Sequence, residues 1–140
     1  MANAAASFIR RRIDSAALPM AVGDFLVLAL LLTGGVVQHN GVDYLSADPA
    51  GWLLTLVPFL LGWAVVAPLV GAYSAGAAES AKAAIPLAIR SWIPAALIGV
   101  GLRATPLFEG GAQPIFVLVV TVVGLVGLSV WRWLHFAIRG

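Results

Sequence analysis

Four long apolar runs separated by short polar segments constrain the fold of this chain more than any other feature. They cover about residues 18–37, 52–73, 84–103 and 114–134. An α-helix needs about 20 residues to cross the hydrocarbon core of a bilayer, and each run has that length. The last run is rich in β-branched residues, but lipid favours helices because their backbone hydrogen bonds are satisfied internally. The pattern predicts an all-α, multi-pass membrane protein with a bundle of four transmembrane helices.

The composition supports this fold class. Of the 140 residues, 61% are hydrophobic and 10% are charged, which is more apolar surface than a soluble core of this size buries. The first run is longer than the apolar region of a secretory signal, so we interpret it as an uncleaved span. We expect one membrane domain over residues 16–140 and a basic tail over residues 1–15. The tail either lies on the membrane surface or is a disordered segment that sets orientation.

Basic residues fall mainly on one side of the predicted bundle. That side holds Arg10, Arg11, Arg12, Lys82, Arg90, Arg132 and Arg139, whereas the other side holds Arg103 with Asp43, Asp48 and Glu109. Cytoplasmic loops of membrane proteins carry an excess of Lys and Arg, so both termini are predicted to be cytoplasmic in a cell membrane. The net charge of +2 follows from these loops, and we do not interpret it as nucleic-acid binding.

Short motifs along the chain resemble those of a known family. They are Asp24 in the first run, His39 after it, Pro58-Phe59, Trp92, Leu102-Arg103, Gly110 and Gly111 before Pro114, Phe116-Val117 and Trp131-Arg132. With this set, the chain from about residue 20 to 133 resembles the domain-of-unknown-function family 3054, small four-helix membrane proteins of archaeal (haloarchaeal) and actinobacterial sources. The resemblance implies a fold and a membrane location, and it implies no activity because none is established for that family.

Asp24 is the acidic residue within the first apolar run. On a helix of 100° per residue, its stripe also contains Leu28, Leu31, Gly35 and Gln38. We expect this stripe to face the bundle interior, since a charge near mid-membrane costs ~2.5–3.5 kcal/mol and needs a partner, water or a proton. By depth, the candidate partners are Arg90 and Arg132. Two interpretations remain open: a structural ion pair, or a carboxylate that binds a proton or cation.

Arg103 is the second unusual charged residue, at the opposite end of the bundle. It could anchor its helix at the interface or pair with Asp43, Asp48 or Glu109. Alternatively, it could form an outward-facing site for an anion or a lipid headgroup together with His39. The sequence has only two histidines and no cysteine, so we predict no metal site and no disulfide.

Five residues are predicted to pack the helices together through small faces or large rings, namely Gly35, Gly62, Trp63, Trp92 and Gly99. We find no serine, histidine and acid at one depth, no close pair of carboxylates and no phosphate-binding loop. The sequence therefore predicts neither an enzyme nor a cofactor.

Two functions remain after these exclusions. The first is a non-enzymatic accessory, scaffold or lipid-organising protein, whose partners would be the lipid bilayer and a homo-oligomer or larger membrane complex. The second is a small proton- or ion-coupled transporter that uses Asp24, because four short spans with an acid in the first resemble the architecture of small multidrug resistance transporters. We favour the first, since no second intramembrane acid completes a relay.

Overall fold

A computed structural model describes residues 2–108 and 110–139 of the chain. Its helices are α1 (Ala2–Arg12), a 3-10 turn (Ser15–Ala17), α2 (Leu18–Asn40), α3 (Tyr44–Ala47), α4 (Pro49–Val70), α5 (Ala81–Arg103) and α6 (Pro114–Arg139). Helices α2, α4, α5 and α6 are long and apolar enough to cross a membrane. The predicted fold class is confirmed: the described residues form helices and no strand, with four candidate membrane spans.

The four long helices pack around a ring in chain order. Helix α2 contacts α4, α4 contacts α5, α5 contacts α6, and α6 returns to contact α2. Each connection reverses the chain, so the bundle has two ends. We call the end with α1, residues 71–80 and the end of α6 the tail end. We call the end with residues 41–48 and 104–113 the loop end.

Helix α4 has the same length as the predicted run over residues 52–73 but begins and ends three residues earlier. Its N-terminal cap is Asp48, whose side chain accepts a hydrogen bond from the Gly51 N–H, and its C-terminal cap is Gly71 with φ 96°. Glycine adopts this left-handed conformation readily, and the Gly71 N–H bonds back to the Ala67 carbonyl. The helix therefore stops at Val70, and Tyr73 lies in the connection that follows it.

Aromatic rings fill the centre of the bundle. Phe59 and Trp63 of α4 and Trp92 of α5 are all fully buried. The ring centroids of Trp63 and Trp92 lie 6.4 Å apart, and those of Phe59 and Trp92 lie 6.3 Å apart. Such tilted contacts suit the quadrupoles of aromatic rings. The row of rings separates the polar residues at the tail end from those at the loop end.

Glycines let α4 and α5 approach each other closely. A Cβ atom on Gly62 would collide with the carbonyl oxygen of Ala95, and one on Gly99 would collide with the ring of Phe59. Gly62 and Gly99 thus lie at helix contacts, as do the rings of Trp63 and Trp92. A carbonyl is part of the rigid helix backbone, so the contact at Gly62 leaves little freedom for adjustment.

Gly35 does not pack two helices together, which corrects the sequence interpretation. A Cβ atom there would meet nothing within 4 Å. Apart from Gly23, the buried residues of α2 form a row four residues apart, which consists of Met20, Asp24, Leu28, Leu32 and Val36. Such a row is inclined to the helix axis, so it leaves the straight stripe predicted through Leu31, Gly35 and Gln38. The second half of that stripe borders an open cleft instead.

The basic tail forms helix α1 and is tied to the bundle at its C-terminal end. The Asp14 N–H donates a hydrogen bond to the Tyr73 carbonyl at 2.7 Å, and Ile13 pairs with the same residue. The side chains of Arg10 and Arg11 are exposed. The tail therefore contacts the connection between α4 and α5, with its charges facing outward.

Candidate functional site

A carboxylate and a guanidinium are buried together at the tail end of the bundle. Asp24 and Arg132 are both 0% exposed. Arg132 Nη2 donates to Asp24 Oδ2 at 2.7 Å, and Arg132 Nε donates to Asp24 Oδ1 at 3.3 Å. Helix α2 starts at this end and α6 finishes there, which brings the two residues to one depth. The two bonds engage both carboxylate oxygens, a strong geometry for an arginine–carboxylate pair.

Three further groups complete this arrangement. The Tyr73 hydroxyl donates to Asp24 Oδ2 at 2.9 Å, and Trp63 Nε1 donates to the Tyr73 hydroxyl oxygen at 2.6 Å. Arg132 Nη1 donates to the Ala84 carbonyl of α5 at 2.8 Å. We call Asp24, Arg132, Tyr73 and Trp63 the polar cluster. Its members come from α2, α4, α6 and the connection after α4, so it ties together most of the bundle.

Burial fixes the protonation of the tyrosine in this cluster. It raises the pKa of Tyr73 above the ordinary value of 10.0, and the neighbouring Asp24 carboxylate raises that pKa further. The phenol therefore keeps its proton at neutral pH and acts as the donor towards Asp24. The Arg132 guanidinium carbon also lies 5.6 Å from the centre of the Tyr73 ring, which adds a cation–π contact.

The environment of the polar cluster favours a structural role for the ion pair. A buried pair that is fully hydrogen-bonded holds a unique arrangement, and removal of one partner leaves a costly charge. The fully buried ring of Trp63 lies 6.0 Å from the Arg132 guanidinium carbon. Both oxygens of Asp24 accept hydrogen bonds, so a proton or a cation at this carboxylate would compete with Arg132 and Tyr73.

Arg90 does not join this site, which corrects one of the two candidate partners. Its side chain is exposed, whereas Ala88 and Trp92 of the same helix are buried. Arg90 is two residues from each of them, which places it roughly 160° around a helix of 3.6 residues per turn. The face of α5 that packs inward carries small residues and Trp92, so Arg90 points away from Asp24.

Trp131 provides a second link between α2 and α6 at the tail end. Its indole Nε1 donates to the carbonyl of Met20 at 3.1 Å. The ring lies against Gly23, where a Cβ atom would collide with it. The ring of His135 lies 5.5 Å from the Trp131 ring, and His135 is 7% exposed. Trp131 is named from the sequence only as part of the Trp131-Arg132 motif, which does not predict this contact.

An open cleft runs along α2 and α6 from the middle of the bundle to the loop end. Its volume is about 780 Å³. The deep part is apolar and includes Leu28, Leu32, Trp92, Val120 and Gly124. The side chains at its mouth are mostly polar, and the polar ones are Gln38, His39, Asn40, Arg103 and Gln113. We call this feature the lateral cleft. Gly34 and Gly35 line it and leave it open, since a Cβ atom on either would contact nothing.

Arg103 is half-buried at the mouth of the lateral cleft. Its guanidinium carbon lies 4.2 Å from the centre of the Phe116 ring, a cation–π contact. Arg103 Nε is buried and has no hydrogen-bond partner among the residues that the structure describes. Within those residues Arg103 forms no ion pair with Asp43 or Asp48, and the predicted alternative Glu109 lies outside them.

His39 lines the same mouth but does not bond to Arg103 in the described part of the chain. Its side chain is exposed. The structure therefore brings the two residues of the predicted outer site to one cleft without joining them. Over residues 2–108 and 110–139, no three His, Cys, Asp or Glu residues form a group that could hold a metal ion.

Comparison with known proteins places the chain in a family. A family model described as "Protein of unknown function (DUF3054)" matches residues 21–135, a range that contains both the polar cluster and the lateral cleft. Neither the curated proteins nor the solved structures gave a match. The resemblance predicted from the short motifs is confirmed. The chain belongs to the DUF3054 family of proteins of unknown function.

Proposed function

We propose that this chain is a non-enzymatic membrane protein that organises lipid, with the lateral cleft as its lipid-binding surface. Accessory, scaffold and lipid-organising roles all work by contact, and the last of these has a specific surface to support it. That surface is a cleft with apolar walls and a polar mouth. A membrane amphiphile has the same division between an apolar chain and a polar headgroup.

The length of the lateral cleft supports a lipid as its occupant. Its lining on α2 extends from Leu28 to Asn40, twelve residues along the helix. At 1.5 Å per residue this is roughly 18 Å. The hydrocarbon core of a bilayer is about 30 Å thick, so one leaflet contributes about half of that. The cleft is therefore long enough to hold one acyl chain from the interface to the bilayer centre.

The polar cluster supports a structural role for Asp24 rather than ion transport. A proton carrier needs a carboxylate that exchanges its proton with water on both sides of the membrane. Asp24 is fully buried, and its oxygens accept bonds from Arg132 and Tyr73. Proton flux into liposomes that contain the purified chain discriminates between these roles. We expect the same flux for the wild type and for Asp24→Asn. A pH-dependent flux that Asp24→Asn abolishes would favour the transporter.

The distribution of charge supports a cytoplasmic tail end in a cell membrane. The three arginines of α1, Lys82 and Arg139 all lie at that end. The lateral cleft would then open towards the outer leaflet. Because the chain has no cysteine, single-cysteine variants report orientation directly. We expect an impermeant maleimide to label Ser46→Cys in intact cells and Ala75→Cys only after lysis. The reverse pattern would invert the proposed topology.

Lipid retention tests the proposed function. We expect the wild type, extracted in a mild detergent, to retain phospholipid that native mass spectrometry detects. Gly35→Leu should reduce retention several-fold, since the leucine would enter the open cleft and not another helix. Gly101→Leu is the matched control, because Gly101 is exposed and open but lies outside the cleft. A folded wild type without lipid, or equal retention by all three chains, would overturn the proposal.

A further inference from the structure

We infer that the lateral cleft selects a phospholipid with a net negative headgroup and that Arg103 is the residue that selects it. This inference rests on the proposed function and names the ligand class of the same surface. The two arginines that face the interior of the bundle differ in what they can bind. Arg132 is fully buried and bonded to Asp24 and Ala84, whereas Arg103 stands at the mouth of an open cleft.

The charge at the mouth favours an anion. Of the polar side chains there, Arg103 is positive, His39 is an imidazole, and the amides of Gln38, Asn40 and Gln113 are neutral. No carboxylate from the described residues lines the cleft. Of the two acids between α2 and α4, Asp48 accepts hydrogen bonds at the start of α4, and neither Asp43 nor Asp48 lines the cleft. An anionic headgroup would therefore meet one positive charge and several amide donors.

The Arg103 side chain is held in place before any ligand binds. The guanidinium carbon lies 4.2 Å from the centre of the Phe116 ring, and Gly110 packs so closely against the Arg103 side chain that a Cβ atom there would collide with it. A planar guanidinium stacked on a ring still presents donors along its edges. The buried Nε–H lacks an acceptor among the described residues, and such a donor gains from an acceptor oxygen. Because Nε is closed to solvent, the donors that a headgroup oxygen would meet are the terminal N–H groups of Arg103, which lines the mouth.

The depth of Arg103 fits a headgroup and not an acyl chain. Arg103 is the last residue of α5, at the loop end, where the membrane interface lies if the four helices cross the bilayer. The apolar walls begin beyond it and reach Leu28 and Gly124 near the middle of the bundle. A single lipid would thus place its charge at Arg103 and its chain along α2 and α6.

Competition between two lipids tests the inference. The purified chain is incubated with mixed detergent micelles that contain equal phosphatidylglycerol and phosphatidylcholine, and bound lipid is counted by native mass spectrometry. We expect the wild type to prefer phosphatidylglycerol about fivefold, the effect of one basic side chain near an anionic headgroup. Arg103→Gln should bring the ratio close to one. Arg90→Gln, an exposed arginine on the same helix, should leave the ratio unchanged.

A second variant separates charge from the stacked geometry and serves if Arg103→Gln does not fold. Arg103→Lys keeps the charge and loses the planar edge of the guanidinium. We therefore expect its ratio of bound phosphatidylglycerol to phosphatidylcholine to lie between one and the wild-type ratio. A wild type that retains lipid without preference, or a preference unchanged in Arg103→Lys and Arg103→Gln, would overturn the inference and leave the proposed function standing. A folded wild type that retains neither lipid would overturn the proposed function itself.

Discussion

Arg132 Nη2 lies 2.7 Å from Asp24 Oδ2, and neither side chain is accessible to solvent. The two residues are 108 positions apart, so this pair joins the first long helix to the last. It closes the ring of four helices at the tail end. At the loop end, the same two helices border the lateral cleft instead. One helix pair thus combines a closed polar contact with an open apolar surface.

Removal of the guanidinium should weaken the fold strongly. We expect Arg132→Ala to lower the free energy of unfolding by about 3–5 kcal/mol, because it leaves the Asp24 charge buried without its partner. Unfolding in detergent micelles, followed by circular dichroism, measures the change. The control is Arg90→Ala, whose exposed side chain should matter by less than about 0.5 kcal/mol. Equal stability of the two variants would contradict a structural ion pair.

Loss of the Tyr73 hydroxyl should have a smaller effect. We expect Tyr73→Phe to cost about 1–3 kcal/mol, since Asp24 loses one donor and the Trp63 indole loses its acceptor. The same micelle assay measures it. Tyr44→Phe is the matched control, because its hydroxyl bonds to Asp48 at 3.3 Å at an exposed site. If both variants lost the same stability, the hydrogen bonds of Tyr73 would not account for its effect.

Stability should fall at alkaline pH because of the same hydroxyl. The folded pKa of Tyr73 is raised above 10.0 by burial and by Asp24, so the folded state binds this proton more tightly than the unfolded state does. Its contribution is complete below the unfolded pKa and is lost progressively as the pH rises above it. We therefore expect melting temperatures that are level from pH 7 to about pH 9 and fall by pH 11. In Tyr73→Phe the melting temperature should fall less at alkaline pH. If it falls as much as in the wild type, other titrating groups cause the loss of stability.

The contact of α4 with α5 should not tolerate one methyl group. We expect Gly62→Ala to destabilise the bundle by about 1–3 kcal/mol, because its Cβ would collide with the Ala95 backbone. Gly101→Ala on α5 has open space and should be neutral or slightly stabilising, as alanine favours helices. Melting temperatures of the two variants provide the comparison. A stable Gly62→Ala would mean that the helices can separate without cost.

The number and positions of the membrane helices could be predicted from the sequence because they depend on the lengths of the apolar runs. The end of α4 could not, since a single left-handed residue, Gly71, stops the helix before the run becomes polar. The position of Tyr73 depends on that stop. Its role beside Asp24 was therefore missed, although Gly71 is a usable signal for the end of the helix before Tyr73.

The partner of Asp24 could be predicted only as far as a choice of two arginines. Depth in the membrane selects Arg90 and Arg132 equally, because it depends on distance along a helix. The rotation of α5 distinguishes them, and that depends on which face carries the small residues that pack against α4. Gly35 was misplaced for a similar reason, because a straight stripe ignores the inclination of the packed row on α2.

The order of the ion pair along the chain has a consequence for biogenesis. Synthesis proceeds from the N-terminus, so Asp24 is made and enters the bilayer long before Arg132 leaves the ribosome. Until α6 is inserted, the carboxylate has no guanidinium, and an unpaired acid at depth is unfavourable in lipid. A translation product that stops short of residue 132 would keep that defect permanently. The pair at the tail end can therefore form only once α6 is present, and a product truncated before it carries an intramembrane acid without its guanidinium.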